Sequence, residues 1–203
     1  WLSAGRLDLP GGRAYWSLVL ANFFIFALLG LFSQPFRSLV EERMNPGESS
    51  IENLRRMMLF GILLFGSHWI VAGLDAGRFH WSDTVPALLQ VLGAFGMFAG
   101  LAFNLWTMVH NPFASSVVRI QAERGHEVIS SGPYAIVRHP MYAGGIVLLF
   151  GGGLLLGSWL ALVPLVPLPF FFVGRVGREE AHLIAHLEGY AEYTGQTRYR
   201  LPP

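Results

Sequence analysis

Apolar residues fall along this chain in long runs separated by polar stretches, and the runs set the expected elements. Tyr15–Phe32 is interrupted by Ser17 and Asn22, Met57–Leu74 by Ser67 and His68, and Pro86–Val109 carries Gln90 and Asn104. Predominantly apolar runs of about 18 residues or more, without charged residues, are the pattern of membrane-crossing helices. Beyond the polar connection Asn111–Val137, two shorter apolar segments follow, Pro140–Gly157 and Trp159–Val173. Ser158 and Trp159 read as the tip of a helical hairpin, and Pro164, Pro167 and Pro169 imply a kinked return arm. Arg175–Thr194 then has amphipathic spacing, with Leu183, Ile184 and Leu187 on one side and Arg178, Glu188 and Glu192 on another. The pattern predicts an all-α, polytopic transmembrane helical bundle of about five membrane segments, including that hairpin, followed by a cytoplasmic amphipathic helix.

Residues 1–110 form the N-terminal spans and residues 111–203 the core that carries the chemistry, the two making one structural unit. Trp1 and Trp16 are expected interface anchors, as are Phe79, His80 and Trp81 near the next boundary. Ser33–Arg56 reads as a polar loop with an Asn45-Pro46-Gly47 turn. The Gly96-x-x-x-Gly100 spacing lets another helix approach closely.

Composition sharpens this picture. Of 203 residues, 53% are hydrophobic and 13% charged, against about 25% charged in an ordinary soluble domain. The absence of Cys excludes a disulfide, a Cys-ligated metal and a thiol nucleophile. No basic block resembles a nucleic-acid footprint, so no nucleic-acid partner is expected, and the apolar runs make the bilayer the expected surroundings. Arg counts orient the chain. With sides numbered alternately through five segments, Ser33–Arg56, Asn111–Arg138 and the tail from Arg175 share one side with eleven Arg, leaving Arg6, Arg13 and Arg78 opposite. The positive-inside rule then puts both polar segments at the cytoplasm, with a bacterial inner membrane expected. The chain starts at Trp1 rather than Met, as expected of a sequence from which an N-terminal piece has been removed or left out.

The chemistry concentrates in one stretch. His126, Tyr134, Arg138, His139 and Tyr142 surround a Ser-Ser-Gly-Pro turn, and aromatic faces can hold a sulfonium or ammonium cation. His139 precedes Pro140, which biases it to extended backbone and places Pro140 at the start of a helix. A second polar segment follows at Arg175, Glu179 and Glu180. Arg175 and Glu179 stand four apart, which alone is the spacing of an ordinary surface ion pair. In a site, the carboxylate could take a ligand ammonium and the Arg a carboxylate. His182 and His186 are also four apart, but the zinc-protease order is missing, so they read as surface histidines and no metal is expected. Gly151-Gly152-Gly153 lacks the strand and the Lys-Ser/Thr of a phosphate loop and reads as packing glycine. His68 and Asn104, mid-span, are expected to bond between helices.

The order Gly132-Pro133-Tyr134-x-x-Val137-Arg138-His139-Pro140-x-Tyr142-x-Gly144, an apolar hairpin, Glu179-Glu180 and Gly189-Tyr190-x-x-Tyr193 resembles the isoprenylcysteine carboxyl methyltransferase family and its phospholipid methyltransferase relatives. The resemblance covers about Asn111–Pro203. It implies an integral membrane methyltransferase that uses S-adenosylmethionine without a Rossmann domain. Carried over residue by residue, Gln121, His126, Glu127, Val128, Ile129, Tyr134, Arg138, His139, Pro140, Met141 and Tyr142 resemble cofactor contacts. Glu179 resembles the partner of the cofactor's amino end, and Arg175 the residue near the methyl acceptor. Glu180 or His139 would serve as base for an amine acceptor, whereas a carboxylate or thiolate acceptor needs none. Two competing classes remain: a non-enzymatic carrier or assembly subunit, and a membrane reductase of shared fold that binds a nicotinamide cofactor.

Overall fold

The structure, a computed structural model, describes residues 2–5, 9–44, 51–82, 84–115 and 118–201. Trp1, Arg6, the expected Asn45-Pro46-Gly47 turn and the terminal Pro202-Pro203 lie outside the described residues. Every regular element among the described residues is helical. They are α1 (Pro10–Phe32), α2 (Gln34–Met44), α3 (Ile51–Ala72) continuing as a π-helical stretch (Gly73–Phe79), and α4 (Ala87–His110). There follow α5 (Pro140–Leu155), a 3-10 segment (Leu160–Leu165), α6 (Pro167–His186) and α7 (Tyr190–Gln196). Among the described residues, four segments are long and apolar enough to cross a membrane: Pro10–Phe32, Met58–Phe79, Ala87–His110 and Leu160–His186. Phe23, Phe24, Leu63, Phe95 and Phe170 point outward, an apolar surface suited to lipid rather than water. α5 is a fifth apolar helix of 16 residues, about 24 Å long against a hydrocarbon core of about 30 Å.

Two stretches depart from the sequence-based expectation. Much of the expected loop Ser33–Arg56 is helical: α2 follows α1 after Ser33 alone, and α3 starts at Ile51 rather than Met57. Pro35 sits in the first turn of α2, where a missing N–H costs nothing, and Phe36 and Leu39 bury against Met108 of α4. The return arm and the amphipathic segment are also one continuous helix, α6. Pro167 and Pro169 fall in its first turn, so neither interrupts it, and Pro164 is absorbed by the preceding 3-10 segment. The amphipathic face ends instead at Leu187, and Gly189 at φ +80° turns the chain into α7.

The core is built on the α4–α5 pair. A Cβ placed on Gly93 would lie 2.6 Å from the Gly151 carbonyl, and one on Gly100 2.6 Å from the Gly144 carbonyl. These are backbone-to-backbone approaches that only glycine permits. Gly96 has ordinary clearance at 3.6 Å, so the tight positions are Gly93 and Gly100, two turns apart on one face, rather than the Gly96–Gly100 pair. The register places Gly144 between Gly100 and Asn104, so Pro140, one turn earlier, lies about one turn short of His110 at the end of α4. The start of α5 is therefore recessed about 5 Å, one helical turn, from the end of α4.

The opposite end of the bundle is tied by a buried carboxylate. Asp75 accepts from the Ser82 backbone N–H (2.7 Å), the Ser82 hydroxyl (2.6 Å) and the Ser158 hydroxyl (2.5 Å). Ser158 in turn accepts the Ala161 N–H, and His68 contacts the Ala161 carbonyl at 2.9 Å through Nδ1. His68 thus bonds between segments as expected, whereas Asn104 Oδ1 has no hydrogen-bond partner among the described residues.

The seam makes a contrast that can be measured. Gly100→Ala is expected to lower stability in detergent by about 1–3 kcal/mol, because its methyl meets the backbone of α5. Gly61→Ala in α3, with nothing within 4 Å, should be neutral or slightly stabilising. Equal thermal midpoints for the two variants would contradict the seam.

Candidate active site

The recessed start of α5, the connection before it, α2, α6 and α7 enclose a cavity of about 170 Å³. His139 precedes the helix with non-helical backbone (φ −125°, ψ 64°), short of the fully extended form expected, and Pro140 opens α5. Three consecutive side chains of the motif are thereby delivered at the mouth of a helix. Gly132, at φ +59°, lies where a Cβ would strike the His110 ring at the end of α4, so the Gly-Pro turn is fixed against α4.

One wall is a hydrogen-bonded chain. Arg175 Nε donates to Tyr142 Oη (2.6 Å), and Tyr142 donates to Glu179 Oε2 (2.7 Å). Glu179 Oε1 is 4.0 Å from His139 Nδ1, beyond hydrogen-bond distance. Glu179 thus lines the cavity with one oxygen that accepts no hydrogen bond among the described residues. The Phe172 ring packs 4.8 Å from Tyr142, and Leu183 and Leu187 continue the apolar lining.

The facing wall comes from the connection. Phe113 and His126 stack at 4.6 Å, and His126 Nδ1 accepts the Gln121 backbone N–H at 3.2 Å. That bond requires the neutral ring. Burial lowers the His126 pKa, and the nearby Arg124 and Arg119 lower it further. Asn111 Nδ2 donates to Tyr134 Oη (2.8 Å), which leaves the phenol proton to point elsewhere, and burial raises the Tyr134 pKa. Tyr193 donates to the Tyr134 carbonyl (2.7 Å); burial is the main reason its own pKa is pushed up to about 12.

Behind the cavity lies a second carboxylate with a different environment. Glu180 Oε1 accepts from Arg138 Nε (2.6 Å) and faces His139 Nε2 at 3.3 Å, while Oε2 accepts from Arg200 Nε (2.6 Å). Arg138 Nη1 also donates to the Thr197 (2.6 Å) and Arg198 (2.9 Å) carbonyls. The Arg138 and His139 backbone N–H groups donate to the Tyr199 and Arg200 carbonyls. The C-terminal segment is therefore stitched to the motif on both main chain and side chain.

The cavity is lined by His126, Glu127, Val128, Ile129, Tyr134, Arg138, His139, Pro140, Met141, Tyr142, Arg175 and Glu179 among the residues singled out by sequence. The Glu127 side chain is exposed. Gln121 and Glu180 do not line it. Gln121 is fully buried, donating to the Phe113 carbonyl (2.9 Å) and accepting from Arg124, so it shapes the connection from behind. Sequence reasoning missed Arg43 of α2, together with Asn111, Phe113 and Arg119. Only their position beside the motif in space signals them. Arg119 grips Glu42 of α2 through both oxygens at 2.8 Å, which docks α2 over the connection.

A cavity with one half-free carboxylate, a donor phenol and a flat aromatic wall fits a ligand with a cationic amino end and a planar ring. Residues 88–188 match the phospholipid methyltransferase family model, abbreviated PEMT. The chain is 26% identical over 132 residues to the cobalt-zinc-cadmium resistance protein CzcN of Cupriavidus metallidurans, covering 64% of this chain and 56% of that protein. It is 27% identical over 118 residues to the nickel-cobalt-cadmium resistance protein NccN of Alcaligenes xylosoxydans xylosoxydans, covering 57% and 51%. It is 31% identical over 90 residues to the protein-S-isoprenylcysteine O-methyltransferase of Schizosaccharomyces pombe, covering 43% and 38%. The chain thus spans about half the length of the first two relatives and less of the third. Among solved structures, the eukaryotic intramembrane Ras methyltransferase ICMT (isoprenylcysteine carboxyl methyltransferase) superposes with a TM-score of 0.54 at 18% identity. That superposition covers 89% of this chain and 66% of that one, a likeness of fold. With the helical bundle, the ordered motif and the matched residues together, the chain belongs to the isoprenylcysteine carboxyl methyltransferase and phospholipid methyltransferase family.

Proposed function

We propose that this protein is an integral membrane methyltransferase that uses S-adenosylmethionine to methylate a lipophilic or small carboxylate, thiol or amine acceptor. The observation that carries this reading is the Arg175–Tyr142–Glu179 chain on the cavity wall, where one Glu179 oxygen accepts no hydrogen bond among the described residues. The bound cofactor supplies an already activated methyl group on a sulfonium, so the protein's task is placement. Glu179 and Tyr134 hold the amino-acid end, and the Phe113–His126 stack holds the planar end. Tyr142 accepts from Arg175 and donates to Glu179, and so fixes the acceptor-side guanidinium relative to the cofactor-side carboxylate. Such alignment of reacting groups is worth several kcal/mol of the barrier, on the order of 7–11 at best. Phe172, Leu183 and Leu187 exclude water that would otherwise solvate the nucleophile.

A carboxylate or thiolate acceptor needs no base. For an amine, Glu180 is a poor candidate because Arg138, Arg200 and His139 occupy its oxygens. His139 is better placed: with Nε2–H directed at Glu180, Nδ1 keeps its lone pair. Glu180 is then a positioning residue rather than a base.

The direct test is transfer of radiolabelled methyl from S-adenosylmethionine into membrane lipid, volatile thiol and prenylcysteine pools, with identification of the product. The two carboxylates should separate in the same preparation. Glu179→Gln should weaken cofactor binding by about 1.5–3 kcal/mol while leaving the fold intact. Glu180→Gln should instead destabilise the protein by about 3–5 kcal/mol even without cofactor, because it strands buried Arg138. No label transfer to any pool, with unaltered binding in Glu179→Gln, would defeat the reading.

Arg175→Lys keeps the charge but lacks the planar fork. Cofactor affinity should hold while the single-turnover rate falls by about one or two orders of magnitude, since in-line transfer tolerates little misplacement. Lost affinity at an unchanged saturated rate would move Arg175 to the cofactor side.

On the proposed orientation the cavity opens to the cytoplasm, where the cofactor is made. Ser130 and Thr194 lie on that face, and the chain has no Cys, so a cysteine introduced at either position is unique. Labelling of both solely from the cytoplasmic side is expected, and labelling from the other side would reverse the topology.

A further inference from the structure

Arg43 enters the cavity from α2, outside the matched residues 88–188. Its engagement is thin for a partly buried guanidinium. Nη1 donates to the Ala114 carbonyl (2.7 Å) and contacts Met141 Sδ (3.7 Å). Nε and Nη2 have no hydrogen-bond partner among the described residues, and no carboxylate there pairs with Arg43. The neighbouring Glu42 is taken by Arg119. The charged and titratable groups around it are Tyr134, Tyr142 and Arg175, and burial together with Arg175 acts against its charge.

Two other cations at the site are balanced by carboxylates. Arg138 has Glu180, and Arg119 has Glu42 and Glu123. A guanidinium withdrawn from water without an anion is costly unless something neutralises it. Its position is also held: the Arg119–Glu42 fork fastens α2 one residue away, and the Arg124–Ser38 contact (3.3 Å) fastens it five residues away. Fixed placement, two open donors and a cavity-facing position are the properties of a bidentate carboxylate receptor.

We propose that Arg43 is an anion-binding residue of this site that takes a ligand carboxylate, either the amino-acid carboxylate of the methyl donor or that of the acceptor. This rests on the reading of the cavity as the methyl-donor site. It adds to that reading a specificity-determining residue on α2, so that the first helical hairpin contributes to recognition.

The experiment uses the full chain in detergent, as wild type, Arg43→Gln and Arg43→Lys, with thermal midpoints checked first. Three probes are titrated calorimetrically: S-adenosylhomocysteine, which keeps the carboxylate; 5′-methylthioadenosine, which lacks the whole amino-acid end; and decanoate added after saturation with S-adenosylhomocysteine. Loss of tenfold or more in S-adenosylhomocysteine affinity in Arg43→Gln, at unchanged 5′-methylthioadenosine affinity and with partial recovery in Arg43→Lys, assigns the donor carboxylate. Unchanged S-adenosylhomocysteine affinity with a tenfold loss for decanoate assigns the acceptor. Parallel loss of all three probes would make Arg43 a wall residue, and no loss of any would leave it without a role; either overturns the proposal. Failure of wild type to bind S-adenosylhomocysteine would overturn the underlying reading, and the proposal with it.

Discussion

Glu180 is 2% exposed, yet Arg138, His139 and Arg200 all converge on its two oxygens. A carboxylate so far from water is tolerable only with such complete compensation, and removing any partner leaves charge stranded. Three separate parts of the chain meet there: the start of α5, the middle of α6 and the C-terminal segment. The backbone bonds from Arg138 and His139 to Tyr199 and Arg200 then make the C-terminal segment part of the same unit. His139 and Tyr142 can hold a fixed relation to Glu179 because this hub fixes the helix start that bears them.

The neighbouring residues Glu179 and Glu180 illustrate what sequence could and could not reveal. The sequence marks both as candidate site residues, as part of a second polar segment and through the motif that resembles the methyltransferase family. Adjacent positions on a helix point about 100° apart, so one faces the cavity and the other the Arg138 side. Which does which depends on the rotation of α6 against α5, a tertiary quantity absent from any local pattern. The long apolar runs were legible because membrane thickness dictates their length. The continuity of α6 was not, because proline reads as a break until its place in the first turn is known.

The same limit explains α2. Gln34–Met44 has few apolar residues, and its mixed charges resemble a solvated loop. Its helix is earned by Phe36 and Leu39 packing on Met108, and by the Arg119–Glu42 fork from a segment 77 residues away. Neither contact has a local signature, so Arg43 could be counted among the orienting arginines without being recognised as a lining residue. Gly93 was overlooked for a related reason: the four-residue spacing of Gly96 and Gly100 is familiar, but here the α5 backbone crosses at a seven-residue interval.

The glycine seam and the shortness of α5 together set the depth of the site. Close approach at Gly93 and Gly100 locks the α4–α5 register, and α5 is too short to match α4 end to end. The polar motif therefore begins below the rim of the bundle, with the connection, α2 and α7 folded over it. On the proposed function this geometry reconciles two ligands of opposite solubility. A polar donor reaches the cavity through the cap of polar segments, while an apolar acceptor arrives beside α5 and α6 at hydrocarbon depth. A longer α5 would carry His139 and Tyr142 up to bulk water, where a nucleophile is solvated and electrostatic contacts weaken. Helix length, rather than any single side chain, thus determines whether Tyr142 and Glu179 work at the lipid boundary or in water.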